Sequence, residues 1–116
     1  YPQPWRDAAI AALRARRGIL RHLRRAHEQA TATGIPVMRP MALMTDDPEG
    51  RRAHGQYFLG DDLLVAPIVR RGGRTRLWLP EGRWRPVLGR PEISGDAGWV
   101  DVHCDPLSFP VFQRAD

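Results

Sequence analysis

Two pairs of adjacent carboxylates are the first places to look for chemistry in this chain: Asp46-Asp47 and Asp61-Asp62. General acid–base catalysis needs one carboxyl group that keeps its proton near neutral pH, and such a proton is held by burial or by a close like charge. Neighbouring residues on a turn point their side chains apart into solvent, which raises neither pKa. Both pairs have a plainer reading. Asp46-Asp47 precedes Pro48 and suits the start of a helix, and Asp61-Asp62 follows Gly60 and suits a turn into the apolar run from Leu63. The chain is therefore expected to carry no catalytic residue of its own.

Other reactive side chains are sparse. Cys104 is the single cysteine, so no internal disulfide and no cysteine-based metal site can form. His103 is its neighbour, but adjacent residues of a strand face opposite ways, so the two do not form a nucleophile pair. Cys104 shares the face of Val100 and Val102, as a small buried apolar residue does. His27 and His54 read as structural or exposed. No metal or cofactor is expected. All 18 basic residues are Arg, six of them between Arg14 and Arg25, and the formal net charge is +5. Such a helix face can pair with phosphates, but no aromatic residues interleave to stack bases, so a solvated face is expected and no nucleic-acid partner.

The elements that hold these residues fall into two regions. From about Pro4 to Thr33, Ala9, Leu13, Leu20, Leu23, His27 and Ala30 recur at three- and four-residue steps, widened by Ile19 and Ala26, which predicts a long helix. Pro4 suits its first turn and Gly34 its end. Gly18 in its interior weakens it and suggests close packing or a bend. Ile35 to Met41 is an apolar run broken only by Arg39, the pattern of a strand buried on both faces as in parallel sheets. A lone helix and strand cannot bury such a strand, so its neighbours are expected outside this chain.

After Gly60 the texture is all-β: Leu63 to Val69, Thr75 to Leu79, Trp84 to Leu88, Trp99 to Cys104 and Phe109 to Phe112 are expected strands. The turns between them lie at Arg71 to Arg74, at Pro80-Glu81-Gly82 and at Ser94 to Gly98, and Pro110 favours an edge or bulged position. The expected division is residues 1–60 and 61–116. The 116 residues begin at Tyr1 without an initiator Met, so the chain is read as a piece of something longer. No stretch reaches the roughly 20 apolar residues that cross a bilayer, and no signal pattern opens the sequence. No membrane partner is expected; the compartment stays open, with the cytoplasm as default, as does the oligomeric state.

Four blocks in order resemble the end of the catalytic region of glycoside hydrolase family 31, the α-glucosidases and α-xylosidases. Gly34 to Pro40 is similar to the family's last barrel strand, G-[IL]-P-V-M-R-P, and Arg16 to an Arg of its last barrel helix. Gln56 to Pro67 is similar to Q-[YF]-x-[LF]-G-x-x-[LI]-L-V-A-P, Leu79 to Trp84 to L-P-x-G-x-W, and Pro106 to Arg114 to P-L-x-x-[IF]-P-V-F-x-R. The chain departs from the pattern at Gly18, Arg21 and His22, where the family has proline and aromatic residues. It departs again at Leu43 and Met44, where an aromatic and an acidic residue are usual.

The resemblance implies an α/β then all-β fold: the last helix-strand unit of a (β/α)8 TIM barrel, followed by an antiparallel β-sandwich-like domain. It implies a fragment of a retaining α-glycosidase, acting on terminal α-linked glucosides or xylosides through two carboxyl groups about 5 Å apart. The family carries both as aspartates on earlier barrel strands, so the fragment lacks them and is expected to be inactive alone. Arg39 then lies near the C-terminal end of the last barrel strand, where barrel enzymes build their sites. Two roles are open to it: contact with the sugar substrate, or a buried ion pair holding the strand's neighbours. The alternatives are a stand-alone carbohydrate-binding or interaction module using exposed tryptophans, and an arginine-helix nucleic-acid binder. For the first of these Trp78 is expected to face outward, and Trp84 and Trp99 to pack in the core.

Overall fold

The computed structural model describes residues 3–66, 74–87, 93–103 and 111–115. The expected helix is present as α1, Gln3–Thr33, a 31-residue element rich in alanine and arginine. It ends where the Gly34 N–H donates to the Ala30 carbonyl with φ at +81°. Its apolar stripe is covered unevenly. Ala26 is the one buried residue, Ile19, Leu20, Leu23 and Ala30 are half-buried, and Ala9, Leu13 and His27 are exposed. Gly18 is not a packing glycine, because a Cβ there would meet nothing within 4 Å.

Ile35 to Met41 folds differently from the expectation. Only Met38–Pro40 forms a strand (β1), and its pairing is antiparallel, with β2, Tyr57–Leu59. Its side chains alternate: Arg39 is buried, while Met38 is 58% exposed. Met41 turns inward and starts a short helix, α2, Met41–Met44. A second short helix, α3, spans Pro48–Arg51. Asp47 caps it, its carboxylate accepting from the N–H groups of Glu49 and Gly50, with Pro48 in the first turn, as the sequence suggested.

The remaining strands are β3 Leu63–Val65, β4 Arg74–Leu79, β5 Gly82–Pro86, β6 Ile93–Gly95, β7 Gly98–His103 and β8 Val111–Arg114. They assemble with β1 and β2 into a six-stranded sheet of order β1-β2-β3-β8-β5-β6 and a two-stranded sheet β4-β7, with antiparallel pairing throughout. The molecule is thus mostly antiparallel sheet with one long helix. The expected loop at Ser94 is part of β6, and the strand from Trp84 begins two residues earlier, at Gly82. The turn at Arg71, Pro110 and Cys104 lie outside the described residues.

The core forms between the two sheets. Phe58, Leu64, Trp84 and Phe112 of the larger sheet meet Leu77, Trp78, Leu79 and Val102 of the smaller one, with Met41, Ala53 and Ala66 completing the cluster. Phe58 and Trp84 pack edge to face at 6.0 Å between centroids. Leu77, Trp78 and Leu79 are all buried in succession, so β4 is covered on both faces and the expected alternation does not hold. Leu63 and Val65 lie on the other face of the larger sheet. There Val111, which pairs with Val65, borders with Ile19 and Leu23 an apolar gap of ≈ 330 Å³ beside α1.

Candidate functional site

The turn Gly60-Asp61-Asp62 joins β2 to β3, and it is where the helix, the first strand and the last strand converge. Gly60 holds φ at +66°, and a Cβ built on it would stand 3.0 Å from the Cβ of Ala26. Only glycine both adopts that backbone at low cost and lets α1 approach so closely. The buried Arg39 reaches the same turn from β1. Its Nε donates to the Pro36 carbonyl at 2.9 Å, one Nη donates to Asp61, and the other donates to the Gln29 Oε1 at 2.9 Å. Gln29 closes the ring by donating from Nε2 to the second Asp61 oxygen at 2.8 Å. A guanidinium 1% exposed therefore has a carboxylate, a carboxamide and a carbonyl as partners, which is what burial of that charge demands.

The hydrogen bond from Gln29, followed by that from Arg39, holds the Asp61 carboxyl below its usual pKa. A proton-donating role needs a shift the other way. Asp61 is thus the partner of Arg39, a tie the turn reading of Asp61-Asp62 did not include. Asp62 faces three bases: Arg25 at 3.8 Å, Arg114 at 3.9 Å and His22 Nδ1 at 4.0 Å. Its backbone carbonyl also accepts from the Arg114 N–H, and the Arg114 guanidinium lies 4.5 Å from the centroid of the Trp84 ring. Burial, and next the charge of Arg21, push His22 below its ordinary pKa, and its buried Nε2 has no hydrogen-bond partner. At neutral pH the His22–Asp62 contact is consequently a dipole beside a charge and not an ion pair.

The other singled-out residues are dispersed. Asp46 is exposed beside the Asp47 cap, and His27 and His54 are exposed. Trp84 is buried as expected. Trp78 corrects the outward placement: it is 2% exposed. Trp99 is half-buried, donates from Nε1 to Glu49 at 3.2 Å and carries the Arg76 guanidinium 4.7 Å from its ring centroid. Of the described β-strand tryptophans, Trp78 and Trp84 are thus buried, and half-buried Trp99 carries the Arg76 guanidinium over its ring. Among the described residues no group of three or more His, Cys, Asp or Glu side chains comes together, and no helix is long and apolar enough to cross a membrane.

Sequence reasoning missed Gln29 and Gln56. The first had a usable signal, since a buried Arg39 requires polar partners from whatever packs on β1. The second had none, because its role depends on a sheet contact between residues 22 positions apart. The Gln56 carboxamide is buried and both donates to the Trp78 carbonyl at 2.7 Å and accepts from the Trp78 N–H at 2.8 Å.

Residues 34–116 match the model of the glycosyl hydrolase family 31 C-terminal domain. The chain belongs to glycoside hydrolase family 31. It is 38% identical over 88 residues to an α-xylosidase of Lactiplantibacillus pentosus, covering 73% of this chain and 12% of that protein. It is 40% identical over 86 residues to a sulfoquinovosidase of Escherichia coli, covering 72% of this chain and 12% of that protein. Among solved structures, the cycloalternan-degrading enzyme of Trueperella pyogenes in complex with cycloalternan superposes with a TM-score of 0.81 at 31% identity. That match covers 95% of this chain and 15% of that one. The chain thus spans about an eighth of the length of the curated relatives it matches.

Proposed function

We propose that this chain is the C-terminal part of a retaining α-glycosidase that hydrolyses terminal α-linked glucosides or xylosides. In that reading residues 1–60 are the last helix-strand unit of a (β/α)8 barrel and residues 61–116 the β-sandwich domain that follows it. β1 and β2 would be the joint, since they extend the larger sheet. The catalytic aspartates would lie on earlier barrel strands, outside these residues. The observation that carries the reading is the superposition on the cycloalternan-degrading enzyme, because it spans 95% of this chain and so includes α1 as well as the β-domain. An α-glycoside or α-linked oligosaccharide is the proposed substrate.

Arg39 is proposed to lie near the sugar site at the C-terminal end of that strand. Its engagement by Asp61, Gln29 and Pro36 favours a role through the strand it anchors; direct sugar contact would require it to give up one of these partners. The test is hydrolysis of aryl α-glucosides and α-xylosides by the full-length parent, with the anomer released followed by proton NMR. Retained α-configuration is expected. Inversion, or no turnover of any α-glycoside, sinks the reading.

A further inference from the structure

α1 is covered along only part of its apolar side. Ala26 in its second half packs on the turn after β2, but toward its start the large apolar side chains Trp5, Ile10 and Leu13 are exposed. Two hollows run along the uncovered side. One, of ≈ 370 Å³, lies over Trp5, Arg6, Ala9, Ile10 and Leu13. The other is the ≈ 330 Å³ gap where Leu13, Arg16, Ile19 and Leu23 face Val87 and Val111. Leu13 lines both, so the two make one apolar trough from the start of the helix to the larger sheet. Arg6 and Arg16 also line it, and among the described residues neither is paired with a carboxylate. Contiguous apolar surface of this kind marks an interaction site.

Chemistry and chain length narrow down what covers it. The trough is walled mainly by the side chains of a helix, whose backbone groups are already paired within it, so a strand laid there would leave its own N–H and C=O groups unpaired. A helix satisfies its backbone internally and brings only side chains. A second copy of this chain, docked about a two-fold axis, would set the same arginine-lined patch against itself, whereas an apolar stripe bordered by carboxylates complements it. α1 lies outside the residues 34–116 that match the family's C-terminal domain, yet within the 95% of this chain that superposes on the cycloalternan-degrading enzyme. This chain covers only 15% of that enzyme, so most of the polypeptide able to reach α1 there lies outside the matched part. We infer that the trough is the docking site for an amphipathic helix of the parent polypeptide outside these residues, its apolar face flanked by carboxylates. α1 then links two bodies, the β-domain through its second half and the rest of the parent through its first. The inference rests on reading the chain as the C-terminal part of a longer glycosidase, but not on the reaction which that parent catalyses.

The experiment uses the full-length parent with the photoreactive p-benzoylphenylalanine in place of Trp5, one aromatic group for another. Irradiation should cross-link it, within the same polypeptide, to a helix outside the 116 residues. The captured peptide should carry Asp or Glu beside an apolar stripe. Ala9→Cys and Arg17→Cys give a reading that does not depend on Trp5, since both residues are exposed in this chain and only Ala9 lines the trough. In the native parent the thiol at position 9 should react with a maleimide about tenfold more slowly than the one at position 17, each relative to its rate in urea and located by peptide mass. The absence of any cross-link, a cross-link within the 116 residues or to a second copy, a captured helix without flanking carboxylates, or equal protection at positions 9 and 17 overturns the inference. A parent that gives the expected cross-link but hydrolyses no α-glycoside sinks the glycosidase reading alone.

Discussion

The two halves of α1 carry one apolar stripe and meet different fates. Toward its start Trp5, Ile10 and Leu13 are 52%, 41% and 68% exposed, whereas Ala26 in the second half is completely buried. Apolar content does not separate them, since the exposed half has the larger side chains. What separates them is the turn at residues 60–62. Gly60 admits Ala26, Asp61 takes Gln29 into the Arg39 ring, and Asp62 faces His22 and Arg25. Periodicity states which face of a helix is apolar. Within this chain the covered stretch of that face is the one that meets one glycine and two carboxylates.

The strongest way to break the comparison is to remove the carboxylate that Arg39 uses. Asp61→Ala leaves a guanidinium without its charge partner at a site 1% exposed. Breaking a buried pair from one side costs about 3–5 kcal/mol, and because water reaches Asp61 we expect the lower end of that range. Arg39→Met should cost less, by about 1 kcal/mol or more, since the stranded group is then a carboxylate that solvent can rehydrate. Urea unfolding of both variants checks the asymmetry, and equal midpoints would count against it. Gly60→Ala comes next. The left-handed backbone costs a residue with a Cβ about 1–2 kcal/mol, and the 3.0 Å approach to Ala26 adds to it. A thermal midpoint lowered by several degrees is expected, with the second half of α1 losing amide-exchange protection before the core strands.

Much of this contrast could be read from the chain, and some of it could not. The helix and its stop at Gly34, the Asp47 cap with Pro48, and the turn at Gly60 were legible because each rests on residues close in sequence. Arg39 as a buried ion pair was legible as one of two roles, once the resemblance placed it on the last barrel strand. The mispredictions share a cause. Trp78 was placed outward by alternation, yet β4 is covered on both faces because the 41–56 segment folds over it. Ile35 to Met41 read as one continuous strand, yet Met41 leaves β1 to join the core between the sheets. Both errors come from partners distant in sequence, which period and composition do not encode.

Acid should loosen the second half of α1 in two stages. The pKa of His22 is lowered, chiefly by burial and then by Arg21, so the folded state favours the neutral ring. The stability this group contributes is complete above its unfolded value near 6.5 and is lost as pH falls through the depressed folded value. Asp61 has the same sign further down: its contribution is complete above about 3.8 and drains away as pH falls through its lowered folded pKa. Thermal midpoints should therefore begin to fall below about pH 6.5 and fall again below about pH 3.8. His22→Gln should flatten the upper step and spare the lower, and an unchanged upper step would remove His22 from the account.

The smallest expected effect has the opposite sign and isolates the helix from its docking. At Gly18 an added Cβ meets nothing within 4 Å, and the residue is exposed in the interior of α1. Gly18→Ala thus changes helix propensity and unfolded-chain entropy and little else, for a gain of about 0.5–1 kcal/mol. The same chemical change at Gly60 is destabilising, so the two alanine variants measure in one protein what docking adds to local preference. The comparison also bears on the barrel reading. If a neighbouring barrel helix packs closely at Gly18 in the full-length parent, the gain seen in this chain should shrink or reverse there. Matched melting curves of the two Gly18→Ala proteins would reveal that packing without any assay of activity.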